Sequence, residues 1–348
     1  MKSKTWLVLS ALGLCVGAAS AQSSVTLFGV LDLNARWLNN DGVKQYSLSQ
    51  DGLTPSRLGV RGSEDLGGGL RASFWLEGAI NPDTGTPNGQ TWQRRSTVSI
   101  ANQFGELRLG RDFTATYWNN SDFDPFGDTG LGGAGNLSVK APAVPTGGAY
   151  DTLVRANNMV GYFLPSGIAG GLYGQFQVAA GENKPGNKYV GGRLGYASGP
   201  FNGAIAYGQT KLRDDVDGDN FNLGASWDFS VVKLSGFYGQ IKVQDDKQNT
   251  WFVGARVPLG AWNLKLSYGH TERSGTVPED VEGQKASQLA VGAVYELSRR
   301  TALYGTWSGM TNKGGAHFVV GSFNNVAGGG AAPDADSQGF EFGLRHSF

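Results

Sequence analysis

The chain has 348 residues, and its 29 lysines and arginines are balanced by 29 aspartates and glutamates. This balance leaves no positive excess, which excludes a protein that binds nucleic acid through a basic surface. After the first segment there is no long apolar run, which excludes a transmembrane helix. Glycine is abundant, at 55 residues, but it lies among aromatic and β-branched residues, which indicates many short strands and tight turns.

Residues 1–21 have the pattern of a secretion signal. Two lysines precede an apolar stretch at 6–16, and a small-residue motif, Ala-Ser-Ala, ends at Ala21. The apolar stretch is short for a membrane anchor and a cleavage motif follows it, so we expect cleavage after Ala21. The mature chain would carry a charge of about −2 and, because Cys15 is the only cysteine, it would contain no disulfide.

The start of the mature chain alternates strictly between two kinds of side chain. Across 24–37 the odd positions are apolar or small, whereas Asp32, Asn34 and Arg36 occupy even positions. Successive side chains of a strand point to opposite sides, so this period of two predicts a strand with one apolar and one polar face. A helix would instead scatter the apolar residues around its circumference.

The same alternation recurs along the chain, with turn sequences between the runs. It predicts about sixteen strands, each roughly ten residues long, which suits a tilted crossing of the hydrocarbon core of a membrane. Turns alternate between short and longer ones, as in barrels with short periplasmic turns and long extracellular loops. The predicted strands are 24–37, 56–64, 70–80, 91–100, 106–111, 155–165, 170–180, 188–198, 201–211, 218–229, 231–242, 249–258, 261–271, 286–297, 300–312 and 337–348.

Two long segments interrupt this rhythm. Residues 113–154 are rich in glycine, proline, asparagine and aspartate, and 313–336 are rich in glycine and alanine. A loop as long as the first is unusual in a compact domain, but a wide barrel can accept it inside the lumen. We therefore expect residues 22–348 to form one all-β domain, a transmembrane antiparallel β-barrel, with 113–154 folded inward to narrow the pore.

The last residues continue the alternation to the final position. Phe340, Phe342, Leu344, His346 and Phe348 fall on one face of the last predicted strand. A chain that stops on an aromatic residue after such alternation carries a known assembly signal of outer-membrane barrels. Together with an exported start, this ending predicts insertion into the outer membrane.

The ordered set of these segments resembles the Gram-negative general porins of the neisserial and burkholderial type. The resemblance covers essentially the whole mature chain, and it implies a 16-stranded barrel, a homotrimer and a third extracellular loop folded inward. It also implies a water-filled outer-membrane channel through which small hydrophilic solutes and ions diffuse passively. The matching segments are 24–32 (SVTLFGVLD), 56–70 (SRLGVRGSEDLGGGL), 104–111 (FGELRLGR), 155–158 (RANN), 297–304 (LSRRTALY) and 343–348 (GLRHSF).

Charged side chains at the narrowest point would set the selectivity of such a channel. The resemblance implies that Arg57, Arg94 and Arg155 converge at the constriction of anion-preferring members. Arginine suits this role because it stays charged among like charges and presents a planar fork to a carboxylate. Alternation also places other arginines on the inward faces of the early strands, and each of these could instead brace a loop or pair with an acid of the wall: Arg36, Arg61, Arg71, Arg95 and Arg108.

Three acids of the long loop are further candidates for the constriction. Asp122, Asp124 and Asp128 surround a Pro-Phe-Gly sequence. They could face the arginines across the pore and create a transverse field. They could equally form turns, which aspartate does routinely. The sequence leaves both interpretations open.

Other functions find little support in the sequence. The histidines, at 270, 317 and 346, lie in no metal-ligand spacing, and no nucleophile, phosphate-loop or dinucleotide motif occurs, so we expect neither an enzyme nor a cofactor. Residues 214–219 resemble a calcium loop but lack its later glutamate, so we expect a solvated loop tip. Weak binding of a divalent ion is the alternative that the sequence leaves open there. A channel specific for phosphate or sugars is one alternative, and a sugar path would need aromatic residues aligned in the lumen. A less favoured alternative is an outer-membrane enzyme on a barrel scaffold, which would need a cluster of catalytic residues on one face of the barrel.

Aromatic residues also lie near the ends of the predicted strands. This position is typical of the aromatic girdles that mark the two membrane interfaces of a β-barrel. We expect the lipid bilayer to be the partner of these side chains. The residues are Trp37, Trp92, Tyr162, Trp227, Trp251, Tyr268, Trp307 and Phe348.

Overall fold

The structure is a computed structural model, and it describes residues 23–87, 91–142, 150–165, 167–275, 282–321 and 332–348. The secretion signal predicted at 1–21 lies outside the described residues. Within the described residues, sixteen antiparallel strands form a closed sheet, because the first strand pairs with both the second and the last. In this part of the chain, no helix combines the length and the apolar character needed to cross a membrane.

The strands follow one another around the barrel in chain order, and each pairs with its neighbours in sequence. The second strand is interrupted between two parts that both pair with the first. The strands are β1 (Ser24–Asn40), β2 (Val43–Gln50 and Arg57–Gly67), β3 (Leu70–Asn81), β4 (Arg95–Asn102), β5 (Gly105–Phe113), β6 (Arg155–Phe163), β7 (Leu172–Ala179), β8 (Tyr189–Ser198), β9 (Phe201–Arg213), β10 (Val216–Asp228), β11 (Lys233–Val243), β12 (Asp246–Leu259), β13 (Trp262–Ser274), β14 (Lys285–Glu296), β15 (Thr301–Lys313) and β16 (Ser337–Ser347).

Short elements lie between some of these strands. The bridge Thr86–Pro87 pairs with the end of β3. The segment between β5 and β6 contains α1 (Ala115–Phe123), α2 (Gly135–Ser138) and a single 3-10 turn, Asp151–Leu153. No pattern in the sequence indicated these helices.

The side chains of each strand alternate between the two surfaces of the barrel. On β1, Asp32 and Asn34 are 0% and 1% exposed, whereas Val25 and Leu27 are 69% and 62% exposed. The polar face is therefore the inner one and the apolar face the outer one, the reverse of a soluble protein. This arrangement confirms the prediction of a transmembrane barrel whose outer surface meets lipid.

The strand prediction was wrong at two places in the first quarter of the chain. The first part of β2, Val43–Gln50, was missed because serine, glutamine and lysine dilute its alternation. β4 begins at Arg95 and not at 91. Residues before it form a turn, in which the Arg94 amide N–H donates to the Glu77 carbonyl oxygen at 3.1 Å.

The prediction of a loop tip across 214–219 is also wrong in its extent. Only Asp214 and Asp215 form the turn, because β10 already begins at Val216. The Asp217 carboxylate accepts the Lys211 ammonium at 3.2 Å, and that of Asp219 accepts the Gln209 amide at 3.0 Å. Cross-strand pairing with β9 therefore occupies these acids. Nowhere in the described ranges do three or more histidine, cysteine or acidic residues form a group that could hold a metal ion.

Turn lengths differ between the two ends of the barrel. At one end, where β1 begins and β16 ends, most strands are joined by tight turns such as those at 68–69, 199–200 and 260–261. The strand ends joined by the longer connections, β3 to β4, β5 to β6 and β15 to β16, all lie at the other end. Short turns face the periplasm and long loops face the cell exterior in barrels of this kind, which fixes the orientation of the chain in the membrane.

Candidate pore site

The described part of the long loop lies against the inner face of the barrel. The side-chain amide of Asn222, on β10, donates to the Thr116 carbonyl oxygen at 3.0 Å. The amide of Gln248, on β12, donates to the Leu137 carbonyl oxygen at 2.6 Å. Asn222 and Gln248 are 2% and 1% exposed and belong to the polar face of their strands. The inner wall thus supplies the donors that the loop backbone needs when it leaves water.

Helix α1 is held by aromatic packing against the wall. Phe123, at its end, packs with Phe237 and Phe252, whose rings stack with centroids 4.8 Å apart. The wall opposite Phe123 is flat because position 224 is a glycine, where a Cβ atom would overlap the Phe123 ring. Position 254 is likewise a glycine, beneath Pro125. Small residues on the strands thus create the space into which the helix fits.

The turn that follows α1 is built around one buried carboxylate. Asp124 accepts the backbone N–H groups of Phe126, Asp128 and Ala134 at 3.0, 2.8 and 2.9 Å. Burial and the neighbouring Asp124 raise the pKa of Asp128 to about 7. The backbone contacts of Asp124 are those of an aspartate that forms a turn, which is the second of the two interpretations given for the acids of the loop. Asp122 differs, because it is more exposed and accepts the Arg193 guanidinium at 2.6 Å.

The tip of the loop is anchored by a buried ion pair. Arg36 donates to Glu341 through Nε at 3.0 Å and Nη2 at 2.6 Å, and both side chains are almost fully buried. The other oxygen of Glu341 accepts the backbone N–H of Leu131 at 3.2 Å. The Leu131 carbonyl accepts the Gln288 amide at 3.0 Å. Glu341 of β16 and Gln288 of β14 therefore hold this part of the loop on one side of the barrel wall, and Arg36 of β1 holds Glu341.

A cavity of about 540 Å³ lies between the loop and the wall. The loop contributes aromatic and small polar residues, including Tyr117, Trp118, Ser121 and Phe126. The wall contributes six cationic side chains and three carboxylates, a local excess of positive charge. The cations are Arg57, Arg94, Arg95, Arg256, Lys265 and Arg345, and the carboxylates are Glu77, Asp112 and Glu296.

On the side of β2 to β5, the arginines of the cavity are paired with acids. The Glu77 carboxylate lies 2.7 Å from Arg94 Nε and 3.7 Å from Arg57 Nε. Arg95 Nε is 3.5 Å from the Asp112 carboxylate. One acid thus serves two arginines at 57 and 94, and their combined charge stays positive. This pairing corresponds to the alternative in which the inward arginines pair with acids of the wall. The same arginines nevertheless line the cavity.

On the opposite side, the cations are held mainly by the loop. The Arg256 guanidinium donates to the carbonyl oxygens of Pro125 and Asp124 at 2.6 and 2.9 Å. The Lys265 ammonium lies 5.4 Å from the centroid of the Phe126 ring. Arg345 pairs with Glu296 at 3.0 Å. The contacts of the first two cations are therefore neutral carbonyl groups and a ring face, and not carboxylates.

Sequence reasoning named only part of this cavity. Of the candidate pore residues, Arg57, Arg94 and Arg95 line it. The remaining candidates, Arg61, Arg155, Asp122, Asp124 and Asp128, are outside its lining.

Two of these remaining arginines have contacts of their own. Arg155 Nε donates to the Arg94 carbonyl oxygen at 2.9 Å, and its guanidinium lies 4.3 Å from the Phe113 ring centroid. Arg61 lies 4.9 Å from the Trp75 ring centroid. Arg155 therefore supports the segment that carries Arg94.

Arg256, Lys265 and Arg345 were missed at the sequence level. Strand alternation does place all three on inward faces, next to outward residues such as Val253 and Leu266. Alternation indicates only the face, however, and many inward positions lie far from the loop. The missing information was the height of each residue along the barrel axis.

A family model for Gram-negative porins matches residues 8–316. The chain belongs to the Gram-negative porin family. Outer membrane porin protein 32 of Delftia acidovorans is 38% identical, over 99% of this chain and 100% of that protein. Major outer membrane protein P.IB of Neisseria meningitidis serogroup A is 26% identical, over 98% of this chain and 99% of that protein.

Solved structures agree with this membership. An anion-selective porin from Comamonas acidovorans superposes with a TM-score of 0.85 and 37% identity, covering 94% of this chain and 100% of that one. OmpT of Vibrio cholerae, in its trimer form, gives a TM-score of 0.69 at 13% identity, covering 94% and 99%, which shows the shared fold alone. This porin is therefore an outer-membrane channel of a Gram-negative bacterium, through which small hydrophilic solutes and ions diffuse passively. Its family consists of channels and not of enzymes.

Proposed function

We propose that this porin prefers anions and that the cavity between the long loop and the wall is the narrow section of its pore. The supporting observation is the lining itself, in which six cations accompany three carboxylates. Charge at the narrowest point of a water-filled pore controls which ions pass, whereas the net charge of the whole chain has little influence. The similar Comamonas porin is described as anion-selective.

The cations at 256 and 265 contribute most to this proposed preference. Among the described residues, no carboxylate lies within ion-pair distance of either side chain. Arg57 and Arg94 share one carboxylate and supply a further net charge. An anion that enters from water could exchange its hydration for charge-assisted hydrogen bonds on both sides of the pore. Arg155 has a positioning role, because its side chain holds the backbone of Arg94.

Single-channel recording in a planar bilayer under a salt gradient tests the proposal. We expect the wild-type reversal potential to favour anions. The double variants Arg57→Gln with Arg94→Gln, and Arg256→Gln with Lys265→Gln, should each shift it towards cations. Adding Arg155→Gln to the first pair should add little. A matched control, Arg299→Gln with Arg300→Gln, removes two charges from an exposed turn and should leave the reversal potential unchanged.

Two outcomes would contradict the proposal. A wild-type reversal potential that favours cations would exclude anion preference altogether. If both double variants behave like the control, the filter lies outside this cavity. The same recordings address the alternative of a specific channel, since saturation of the current by phosphate, or block of the current by a sugar, would favour that function over general diffusion.

We further propose that the porin assembles as a homotrimer in the outer membrane. The proposal rests on the family resemblance, and on the Vibrio structure of the same fold that is described as a trimer form. Native mass spectrometry of the detergent-solubilised protein measures the assembly directly. A mass of one chain under conditions that preserve the barrel would contradict this part of the proposal.

A further inference from the structure

Helix α1 turns polar side chains towards the barrel wall. Thr116, Asn119 and Asn120 are at most 4% exposed. The Asn119 amide donates to the Ala204 carbonyl oxygen of β9 at 3.1 Å. On a helix that borders water, polar side chains ordinarily occupy the side that faces the water. The polar residues of α1 are instead used on the side of the wall, which leaves the composition of the cavity side to be explained.

The side of α1 that faces the cavity is aromatic. Tyr117 and Trp118 line the cavity together with Ser121, one helical turn later. Phe113, just before the helix, also lines it, and its ring stacks on Tyr117 with centroids 4.8 Å apart and meets Trp118 edge-on at 5.2 Å. Tyr117 is only 9% exposed, whereas Trp118 is partly exposed. Trp118 is therefore the ring of this helix that a solute in the cavity can contact.

A series of contacts connects Trp118 with the arginines of the wall. The Phe113 ring, which packs against Trp118, lies 4.3 Å from the Arg155 guanidinium. Arg155 Nε in turn donates to the Arg94 carbonyl oxygen at 2.9 Å. Trp118 and Arg94 thus belong to the same part of the cavity, and both line it. An accessible aromatic surface lies next to a guanidinium group there, a combination of apolar and convergent polar groups that is typical of small-molecule sites.

The positive excess of this cavity remains when the charges around it are included. Six cations and three carboxylates line the cavity. The acids and the arginines that lie beside this lining are equal in number, so they leave the excess of the lining unchanged. The acids are Asp51, Glu106 and Asp124, and the arginines are Arg61, Arg108 and Arg155.

We propose that the cavity binds aromatic carboxylates, with the carboxylate on the guanidinium groups of Arg57 and Arg94 and the ring along Trp118. This inference rests on the proposed function, because it takes the cavity to be the narrow section of an anion-preferring pore. A carboxylate matches the planar fork of an arginine side chain. An aromatic ring adds a stacking interaction that chloride or phosphate cannot form. The cavity, at about 540 Å³, has the size of a small-molecule site.

Block of the chloride current by three matched solutes tests the proposal. Benzoate has a ring and a charge, cyclohexanecarboxylate has the charge on a saturated ring, and benzamide has the aromatic ring without the charge. Each is titrated onto the folded, full-length porin in a planar bilayer. We expect benzoate to block at a concentration about threefold or more below that of cyclohexanecarboxylate, because it stacks. Benzamide should require about tenfold or more benzoate's concentration, because it lacks charge-assisted hydrogen bonds.

Variants identify the groups that bind each part of the solute. Trp118→Leu should bring the blocking concentration of benzoate to that of cyclohexanecarboxylate, and Trp118→Phe should retain most of the difference between them. Arg57→Gln with Arg94→Gln should weaken block by both carboxylates and leave block by benzamide unchanged. The matched control is Trp227→Leu, which removes an indole from the outer face, where Trp227 is 46% exposed, and should be blocked like the wild type.

Several results would overturn the proposal. The first is equal block of the wild type by benzoate and cyclohexanecarboxylate, a comparison that stays decisive even if a variant fails to fold. Block by benzamide as strong as that by benzoate would show a site for neutral rings. Stronger block by maltose than by benzoate would show a path for sugars. If Trp118→Leu changes block by both carboxylates to the same degree, the ring sets the width of the pore and binds no solute.

The reversal potential distinguishes a failure of this inference from a failure of the proposed function. A wild type that favours anions but responds equally to the two carboxylates contradicts only the binding of aromatic solutes. A wild type that favours cations contradicts anion preference and, with it, the role assigned to Arg57 and Arg94 in holding a carboxylate.

Discussion

Replacing Glu341 with alanine tests whether the buried ion pair with Arg36 holds the long loop in place. The pair has its closest contact at 2.6 Å, and the two side chains are 1% and 0% exposed. Glu341 also accepts the backbone N–H of Leu131, at the tip of the loop. The substitution therefore removes the partner of a buried charge and a loop anchor together.

The loss of the charge partner decides how large the change in the free energy of unfolding should be. Removing one member of a buried ion pair leaves an uncompensated charge, which typically costs about 3–5 kcal/mol. We expect Glu341→Ala to lower the free energy of unfolding by about this amount. Glu341→Gln loses the charge but keeps an acceptor for Leu131, so the loop should remain more firmly attached in that variant.

Two measurements follow the barrel and the loop separately. Urea unfolding in detergent micelles, monitored by tryptophan fluorescence, gives the change in stability. Single-channel current reports the loop, and we expect Glu341→Ala to show larger current fluctuations than Glu341→Gln. The control is Asp215→Ala, which breaks the exposed pair with Arg213 and should have no measurable effect on stability.

The expectation is refuted if Glu341→Ala and Asp215→Ala unfold at the same urea concentration. That result would mean that water reaches Arg36 and compensates its charge. Equal current noise in the wild type and in Glu341→Ala would show that the other contacts of the loop suffice. The first result concerns the energetics of the pair, and the second concerns only its effect on the pore.

Two further predictions concern the long loop. Gly224→Ala places a methyl group against the Phe123 ring, so α1 should move away from the wall and reduce the single-channel conductance; an unchanged conductance would show that α1 does not border the ion path. The raised pKa of Asp128, about 7 against an ordinary value of 3.8, means that the folded state holds this proton more tightly than the unfolded state. Its stabilising contribution should be complete below pH about 4 and disappear as the pH rises to about 7. The difference in unfolding free energy between wild type and Asp128→Asn should therefore depend on pH across this range, and a constant difference would contradict the burial of a protonated carboxyl.

The helix in the loop shows why part of the fold was not predictable. Sequence patterns reveal a helix through one apolar face, but α1 buries side chains on several sides, including Thr116, Asn119 and Asn120. Polar side chains of α1 also contact the inner wall of the barrel, as when the Asn119 amide donates to the Ala204 carbonyl oxygen at 3.1 Å. A helix inside a polar lumen therefore lacks the periodicity that a helix on an apolar core displays.

The first part of β2 illustrates a second limit. Its alternation is weak, yet Val43–Gln50 pairs with β1 in a continuous register. Hydrogen bonds of the backbone, which nearly any sequence can form, stabilise this part of the strand at the extracellular end of the barrel. Pairing with β1, whose alternation is strict, compensates for the weak alternation of Val43–Gln50. This pairing becomes visible only in the assembled sheet.

The sequence by itself determined the barrel, its polar interior, and the face on which each strand residue lies. Alternation is a local property, and it was sufficient because a period of two assigns each residue to one side of the sheet. Only the tertiary structure decided which inward charges meet. Arg57 and Arg94 share a cavity with Arg256, Lys265 and Arg345 because strand tilt, register and the inserted loop bring them to one level, and none of these is a property of neighbouring residues in the chain.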